Sequence, residues 1–394
     1  MRGTMQALEL QGQWVPRSGY APSADEQATG KARNASAVWK DVRLQMQPRA
    51  LPTPADDQVV IRVRACGVCG SDTHCYEHDA QGYMLFSGAA RLPVTPGHEY
   101  AGEVVEVGRS VTGLKVGDAV APEGILWCGR CTPCRAGHFN QCQQLEMTGF
   151  SAPGAFAEYI AIGEKYCWKL DALQESLGGD DRVWELGALI EPIGCAYNGM
   201  FVAGGGFQPG AHVAIHGAGP IGLAAVMLAR AAGAARIAVF DLNPARNQLA
   251  RELGADFAAS PDELRRQGSS PSQAVRDLTR GQGADLQIEA AGAASSTIPE
   301  IQKSFAPNGR MVFLGRHDGV APVEFNPMVT QANAIVGSRG HAGYGIFPNI
   351  IRLLASGRLP AARMITARFR FDDVIGAFDR SSARTDGKIM VRFG

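Results

Sequence analysis

Residues 212–241 restrict what this chain can fold into more than any other stretch. HVAIH (212–216) is a short apolar run, HGAGPIG sets Gly217, Gly219 and Gly222 in a G-x-G-x-x-G spacing, residues 220–232 form a nearly all-apolar helix, and RIAVF (236–240) leads to Asp241. A strand that turns on glycine into a helix and returns as a second strand is a βαβ unit, whose strands lie parallel. Gly217 suits the tight turn, Gly219 the close approach of a pyrophosphate, and Gly222 the packing of helix on strand. The helix start at Pro220 and Ile221 offers its positive end to the phosphates. Asp241, 19 positions beyond Gly222, stands where an acid binds the adenosine ribose hydroxyls. It would repel the extra phosphate of NADP, so NAD is the expected cofactor. A glycine-rich turn without a ligand is the alternative, and the presence of strand, helix and acid together weighs against it. Arg246 is a candidate to lie on the adenine; a solvated helix position is equally open.

The alternation continues beyond this unit. Pro244 begins the next helix, where its missing N–H is harmless. LQIEAAG (286–292), a helix over 294–306 and RMVFLG (310–315) follow. The spacing predicts a doubly wound parallel sheet with helices on both faces. Upstream the pattern differs. QVVIRVRA (58–65) alternates apolar and polar residues, and HEYAGEVVEVGRSVTGLKVGDAV breaks into short alternating segments, so residues 40–165 read as a small, mostly antiparallel β domain. Residues 6–10 read as a short strand. Residues 16–40 read as an elaborated polar surface loop without a legible role, returning to a strand near 38–46. In CGVCGSDTH (66–74) the glycines and Asp72 are expected to break regular structure. From about 183 the chain turns helical, and the tail holds a helix (371–380) and a strand, KIMVRF, that can rejoin the first domain. The expected division is 1–196, then 197–336, then a return over 337–394.

At 394 residues the chain is too long for one ordinary domain. Lys plus Arg equals Asp plus Glu at 38 each, which gives no support for nucleic acid or an acidic membrane as partner. No apolar run approaches the ~20 residues of a membrane span, and MRGTMQALELQGQW has no signal-peptide core. Nine cysteines, an odd number with four in one loop, point to a reducing cytoplasm rather than a disulfide framework.

That loop is CGRCTPCRAGHFNQC, in a lobe of about 123–146. It sets Cys128, Cys131, Cys134 and Cys142 within fifteen residues. Four thiolates on one short loop make a closed tetrahedral site suited to Zn²⁺, with no position left for chemistry. Two disulfides or four unrelated core cysteines are the alternative. A second metal site is less visible. Cys69, His98 with Glu99, and Glu191 are far apart, and each alone reads as structural. Position unites them: Cys69 and His98–Glu99 end strand-like segments, and Glu191 opens the nucleotide half. A cleft between two such domains is where a hydride donor and an open zinc site are expected to meet.

CGVCGSDTH, GHEYAGEVVEVG, the four-cysteine loop, GALIEP and GAGPIG occur in the order found in zinc-dependent medium-chain dehydrogenases, and the chain resembles that family over nearly its whole length. Glu191-Pro192 is similar to the sorbitol, threonine and glucose dehydrogenase branch rather than to members with a third cysteine there. GYMLFSG, EGILWCGRC, GFSAPGAFAEYIAI, YCWKL, EPIGCAYN and the stretch 335–357 are similar to cyclitol-oxidising members. The loop at 16–37 matches least. The resemblance implies a GroES-like, mostly antiparallel β catalytic domain beside a Rossmann domain, two zinc ions per chain and NAD. It implies Cys69 and His98 as ligands of the catalytic zinc, Glu99 and Glu191 contributing directly or through water, and Ser71 and His74 as a proton relay. It implies oxidation of a polyol or cyclitol alcohol to a ketone by hydride transfer, in a homotetramer or homodimer.

Some positions stay open at this point. Cys195 is an alternative ligand to Glu191, Cys66 is a core cysteine rather than a redox partner of Cys69, and His74 has a plain loop histidine as its alternative. His341, Tyr83 and Tyr197 are candidate pocket residues, with structural roles equally open. L-threonine 3-dehydrogenase and sorbitol dehydrogenase activities compete within the class. A catalytically inactive NAD-binding protein is disfavoured by the presence of all four candidate ligands, and a quinone reductase on this fold would lack both zinc sites.

Overall fold

The computed structural model describes residues 3–317, 319–341 and 343–394. Met1 and Arg2 of the opening stretch and Ala342 of the stretch 335–357 lie outside the described residues. The chain forms two compact units. Met1–Glu191, Ala367–Arg384 and Lys388–Gly394 make the first, and Pro192–Thr366 with Thr385–Gly387 the second.

In the first unit the central strand is Gln58–Val68, with eight buried positions among its eleven, an excess over simple alternation because elements pack on both faces. Glu99–Val107, Tyr159–Gly163 and Lys388–Arg392 all pair with it antiparallel. The sheet runs Cys167–Lys169, Ala119–Pro122, Glu99–Val107, Gln58–Val68, Lys388–Arg392, Ile365–Arg370. Its core gathers Leu8, Val59, Ile61, Tyr100, Phe156, Phe378 and Val391. The tail strand therefore returns to the first domain, as KIMVRF suggested.

Local structure departs from expectation at two places. The expected break at 66–74 is a helix, Gly70–Tyr76, with Cys69 as its N-cap residue and Asp72 Oδ2 accepting the Cys69 N–H at 3.0 Å. A carboxylate three residues past the cap satisfies an otherwise orphan donor, so Asp72 starts regular structure rather than ending it. The segment 16–40 is likewise ordered. It holds the helix Ala24–Thr29, capped by Ser23, and the strand Lys31–Ala32, which pairs with Ala90–Arg91. Thr4–Trp14 and Trp39–Ala50, both longer than expected, pair antiparallel on either side of it.

The second unit holds a six-stranded sheet in the order Phe257–Ala259, Arg236–Phe240, His212–His216, Ala284–Glu289, Phe305–Phe313, Ala334–Gly337. Every neighbouring pair is parallel. In chain order that is 3-2-1-4-5-6, so the strand order reverses beside His212–His216, where a dinucleotide crevice belongs. The helix expected to reach 306 stops at Lys303, because Phe305 already begins the next strand. Residues 337–366 stay with this unit. Ala334–Gly337 is its sixth strand, and Ile346–Ala355 buries Ile346, Phe347 and Ile350. The chain returns to the first unit at Ala367, later than the boundary at 337 read from the sequence.

The helical run Arg182–Ala203 reaches the length and composition of a membrane span, where the sequence reading expected none. It is mostly buried within the protein, as a core helix of a globular protein is.

Candidate active site

The Cys69 thiol ends the central strand and begins the Gly70–Tyr76 helix, while His98 and Glu99 open the neighbouring strand Glu99–Val107. Antiparallel pairing sets Glu99 opposite Gly67. Strand pairing thus brings together residues thirty positions apart. One ligand atom from each of Cys69, His98 and Glu99 lies within 4.8 Å of the others. Sulfur, imidazole and carboxylate from three side chains are the donor set of a zinc site that keeps one position open.

The surroundings orient these donors. Asp72, buried, lies 3.4 Å from His98 Nδ1. With the carboxylate on one ring nitrogen, the other is left to a metal, the usual outer-shell arrangement for a ligating histidine. Burial opposes a charge on His98, but Asp72 and Cys69 outweigh it and hold its pKa well above the ordinary value. Both oxygens of Glu99 accept from Lys388 Nζ, at 2.7 and 2.6 Å, and the same ammonium donates to the Val68 carbonyl at 3.2 Å. Lys388 is fully enclosed. Burial pushes the Glu99 carboxyl upward, Lys388 pulls it down, and Glu191 pushes it up again, leaving it above its usual value. Glu191, also buried, stands at the start of the helix Ile190–Tyr197. A Cβ at Gly67 would come within 2.3 Å of Glu99 Oε2, so only glycine leaves room for that carboxylate.

Ser71 and His74 lie on the Gly70–Tyr76 helix, three residues apart and so on one face, both partly exposed. The Phe150 ring lies 5.0 Å from that of His98 and stacks on Phe86 at 4.7 Å.

The four-cysteine loop closes as its spacing suggested. Cys128, Cys131, Cys134 and Cys142 converge within 4.8 Å as free thiols. The Cys131 and Cys142 sulfurs are 3.9 Å apart. A tetrahedral site with Zn–S bonds of ~2.3 Å requires about 3.8 Å between sulfurs, so the cage is the right size. The N–H groups of Arg130 and Cys131 aim at Cys128 Sγ, and those of Cys128 and Gln144 at Cys142 Sγ. These donors bring the Cys128 thiol down to about 6, a thiolate at neutral pH, while burial lifts Cys134 to about 12.

In the second unit Gly217 has φ +99° and Gly222 packs so closely that a Cβ would meet the Gly217 carbonyl oxygen at 1.8 Å. A Cβ on Gly219, at the cap of the helix Pro220–Ala231, would meet nothing within 4 Å. The chain's own packing therefore explains the first and third glycines but not the second, whose open face suits an approaching pyrophosphate. Asp241 follows the strand Arg236–Phe240 and accepts the Ala218 N–H at 2.7 Å and the Asn243 N–H at 2.8 Å, which places the acid against the glycine turn.

The remaining candidates scatter. Arg246 Nε donates to the Asp386 carbonyl at 2.9 Å. Tyr83 is buried under the Arg17 guanidinium, Tyr197 accepts from Asn349 Nδ2 at 3.0 Å, and His341 is enclosed beside Phe347. Cys66 packs in the first core, its thiol pushed up by burial, and Cys195 belongs to the second unit. Sequence reasoning missed Lys388 and the part played by Asp72. The trace of Lys388 was a lysine opening a strand whose next three residues are all buried.

Residues 55–172 match the alcohol dehydrogenase GroES-like domain, and 220–356 the zinc-binding dehydrogenase domain. The chain is 38% identical over 366 residues to scyllo-inosose 3-dehydrogenase of Thermotoga maritima, covering 90% of this chain and 91% of that protein. It is 33% identical to L-threonine 3-dehydrogenase of Pyrococcus horikoshii, covering 86% and 92%. A solved structure from Thermotoga maritima, described as an alcohol dehydrogenase, superposes with TM-score 0.93 at 34% identity, covering 98% of this chain and 100% of that one. An open three-donor site and a thiolate cage thus fall within the first matched domain, the dinucleotide turn runs into the start of the second, and a relative spans nine-tenths of the chain, so this chain belongs to the zinc-binding alcohol dehydrogenase family as a zinc-containing, NAD-dependent enzyme.

Proposed function

We propose that the chain oxidises a secondary alcohol of a cyclitol or polyol to a ketone, with NAD as hydride acceptor. The observation that carries this reading is the convergence of Cys69, His98 and Glu99 in a protein similar to a cyclitol dehydrogenase over nine-tenths of its length. Cys69 and His98 would hold the catalytic zinc, with Glu99 and Glu191 in exchange around it, and Cys128, Cys131, Cys134 and Cys142 the structural zinc. Bound there, zinc supplies the Lewis acidity that brings a hydroxyl's pKa toward neutrality, and NAD takes the hydride. Asp72 keeps the His98 ring turned toward the metal. Ser71 and His74, partly exposed on their helix, carry the hydroxyl proton outward. Asp241 holds the adenosine ribose beside the glycine turn formed by Gly217, Gly219 and Gly222, with Pro220 and Ile221 at the helix end that faces the phosphates. The enzyme acts as a homo-oligomer, in keeping with its family.

L-threonine 3-dehydrogenase activity is the second reading, supported by the 33% identical relative. NADH formation by zinc-loaded enzyme against myo-inositol, other cyclitols, sorbitol, L-threonine and simple alcohols separates them. Turnover centred on cyclitols supports the proposal. Turnover centred on threonine replaces the substrate and keeps the metal site, and silence with two zincs bound overturns the proposal.

A further inference from the structure

The segment between Val15 and Lys40, which the sequence left without a role, packs against the loop that leads from the Cys69 helix toward His98. It is locked internally by Glu26, only 3% exposed, which accepts from the Ser23 N–H and hydroxyl, the Arg33 N–H and the Tyr20 hydroxyl. Toward the loop it presents Arg17. The guanidinium lies 4.0 Å from the centre of the Tyr83 ring, pairs with the Asp79 carboxylate, and donates Nη1 to Gln81 Oε1 at 3.0 Å. Its Nε donates to the Ser36 carbonyl at 2.8 Å, tying the loop to the segment's own backbone. Lys40 Nζ stands 5.7 Å from the same ring. Asp79 in turn accepts the N–H groups of Gln81 and Tyr83, so one arginine engages the side chains around which the turn is wound.

The loop continues directly to the metal donors. The Met84 N–H donates to the Trp39 carbonyl at 3.1 Å, and the Leu85 N–H to the carbonyls of His74 and Glu77. Phe86 stacks on Phe150, which lies against His98. Leu85, 43% exposed between two buried neighbours, is the loop's apolar face to solvent.

We propose that Arg17 is a positioning residue: through Asp79 and Tyr83 it holds the 79–86 loop, and with it Phe86 and the Phe150 ring packed against His98, and so sets which alcohol the site accepts. This rests on reading Cys69 and His98 as the substrate-bearing site. Loosening a side chain that borders the bound alcohol removes binding that substrate and transition state share, which raises KM and leaves kcat, so the loss of one anchor is measurable.

The test compares Arg17→Met and Arg17→Lys with wild type in the full, zinc-loaded chain, by hydrogen exchange over 78–86, zinc content, NADH affinity, and KM and kcat on the best alcohol of the panel. Arg17→Met should speed exchange over 78–86 and raise KM about tenfold, with kcat within about twofold, two zincs retained and NADH affinity unchanged. Arg17→Lys keeps the charge over the ring without the planar fork and should restore part of the KM. Unchanged exchange would overturn the hold of Arg17 on the loop, and lost protection with unchanged KM would overturn its part in choosing the alcohol. A fall of kcat and zinc content together, with KM unchanged, would reduce Arg17 to general stability. A wild-type enzyme silent on every alcohol would instead overturn the proposed function and the selectivity role with it, while exchange still decides whether Arg17 holds the loop.

Discussion

The two metal-type clusters of the first unit are built in opposite ways. The thiolate cage draws four identical donors from fifteen consecutive residues, partly open to solvent and tuned by backbone N–H groups that any chain can supply. The Cys69 cluster draws unlike donors from two strands and a helix start, and encloses beside them an aspartate and a lysine from the far end of the chain. A short loop closes at little entropic cost and needs no partner from elsewhere. The second cluster exists only after the sheet has paired. Its charges are buried, so each needs a fixed counter-charge, and Lys388 is that counter-charge for Glu99.

Breaking each cluster should therefore have different consequences. Cys69→Ser should abolish turnover, by at least about a thousandfold, and lower zinc from two to one per chain while the fold persists; several kcal/mol of Lewis-acid stabilisation are at stake. Metal analysis beside steady-state rates checks it, and full turnover would remove Cys69 from the site. Lys388→Met should cost the zinc-free protein about 3–5 kcal/mol, because a buried carboxylate loses its partner, and less with zinc bound, since the metal can take over Glu99. Denaturant unfolding with and without zinc reads the difference, and equal losses in both states would separate Lys388 from the metal site.

Cys131→Ser should act on the other cluster alone, with zinc again falling toward one per chain, Tm down by roughly 5 °C, or ~2 kcal/mol for a unit of this size, and most activity kept. A thousandfold loss of activity here would erase the contrast between the clusters. The dinucleotide turn is local like the cage, so its acid should be separable too. Asp241→Ala should raise the KM for NAD about tenfold, ~1.4 kcal/mol, while the NADP preference improves and zinc content stays at two. An enzyme that already prefers NADP would overturn the reading of Asp241.

Local features were legible for a physical reason: their causes lie within a few residues of each other. The Cys128–Cys142 spacing, the strand–glycine–helix unit and the strand–helix alternation that calls for a parallel sheet all follow from short-range geometry and periodicity. The cap at Cys69 was misread because glycines and an acid mark both a break and a helix start, and only the accepted Cys69 N–H distinguishes them. Segment 16–40 looked like loop because its order comes from Glu26, Arg17 and a pairing with Ala90–Arg91, none of which has a periodic signature.

The sequence by itself determined the two architectures, the thiolate cage and the glycine turn, because each is specified by residue types at fixed short separations. Only the tertiary structure decided that Glu99 is held by Lys388, that His98 is oriented by Asp72, and that Arg17 reaches the loop beside the metal donors. Those are contacts between charges and rings remote along the chain, and their partners are chosen by strand register and packing, which no local pattern of residues encodes.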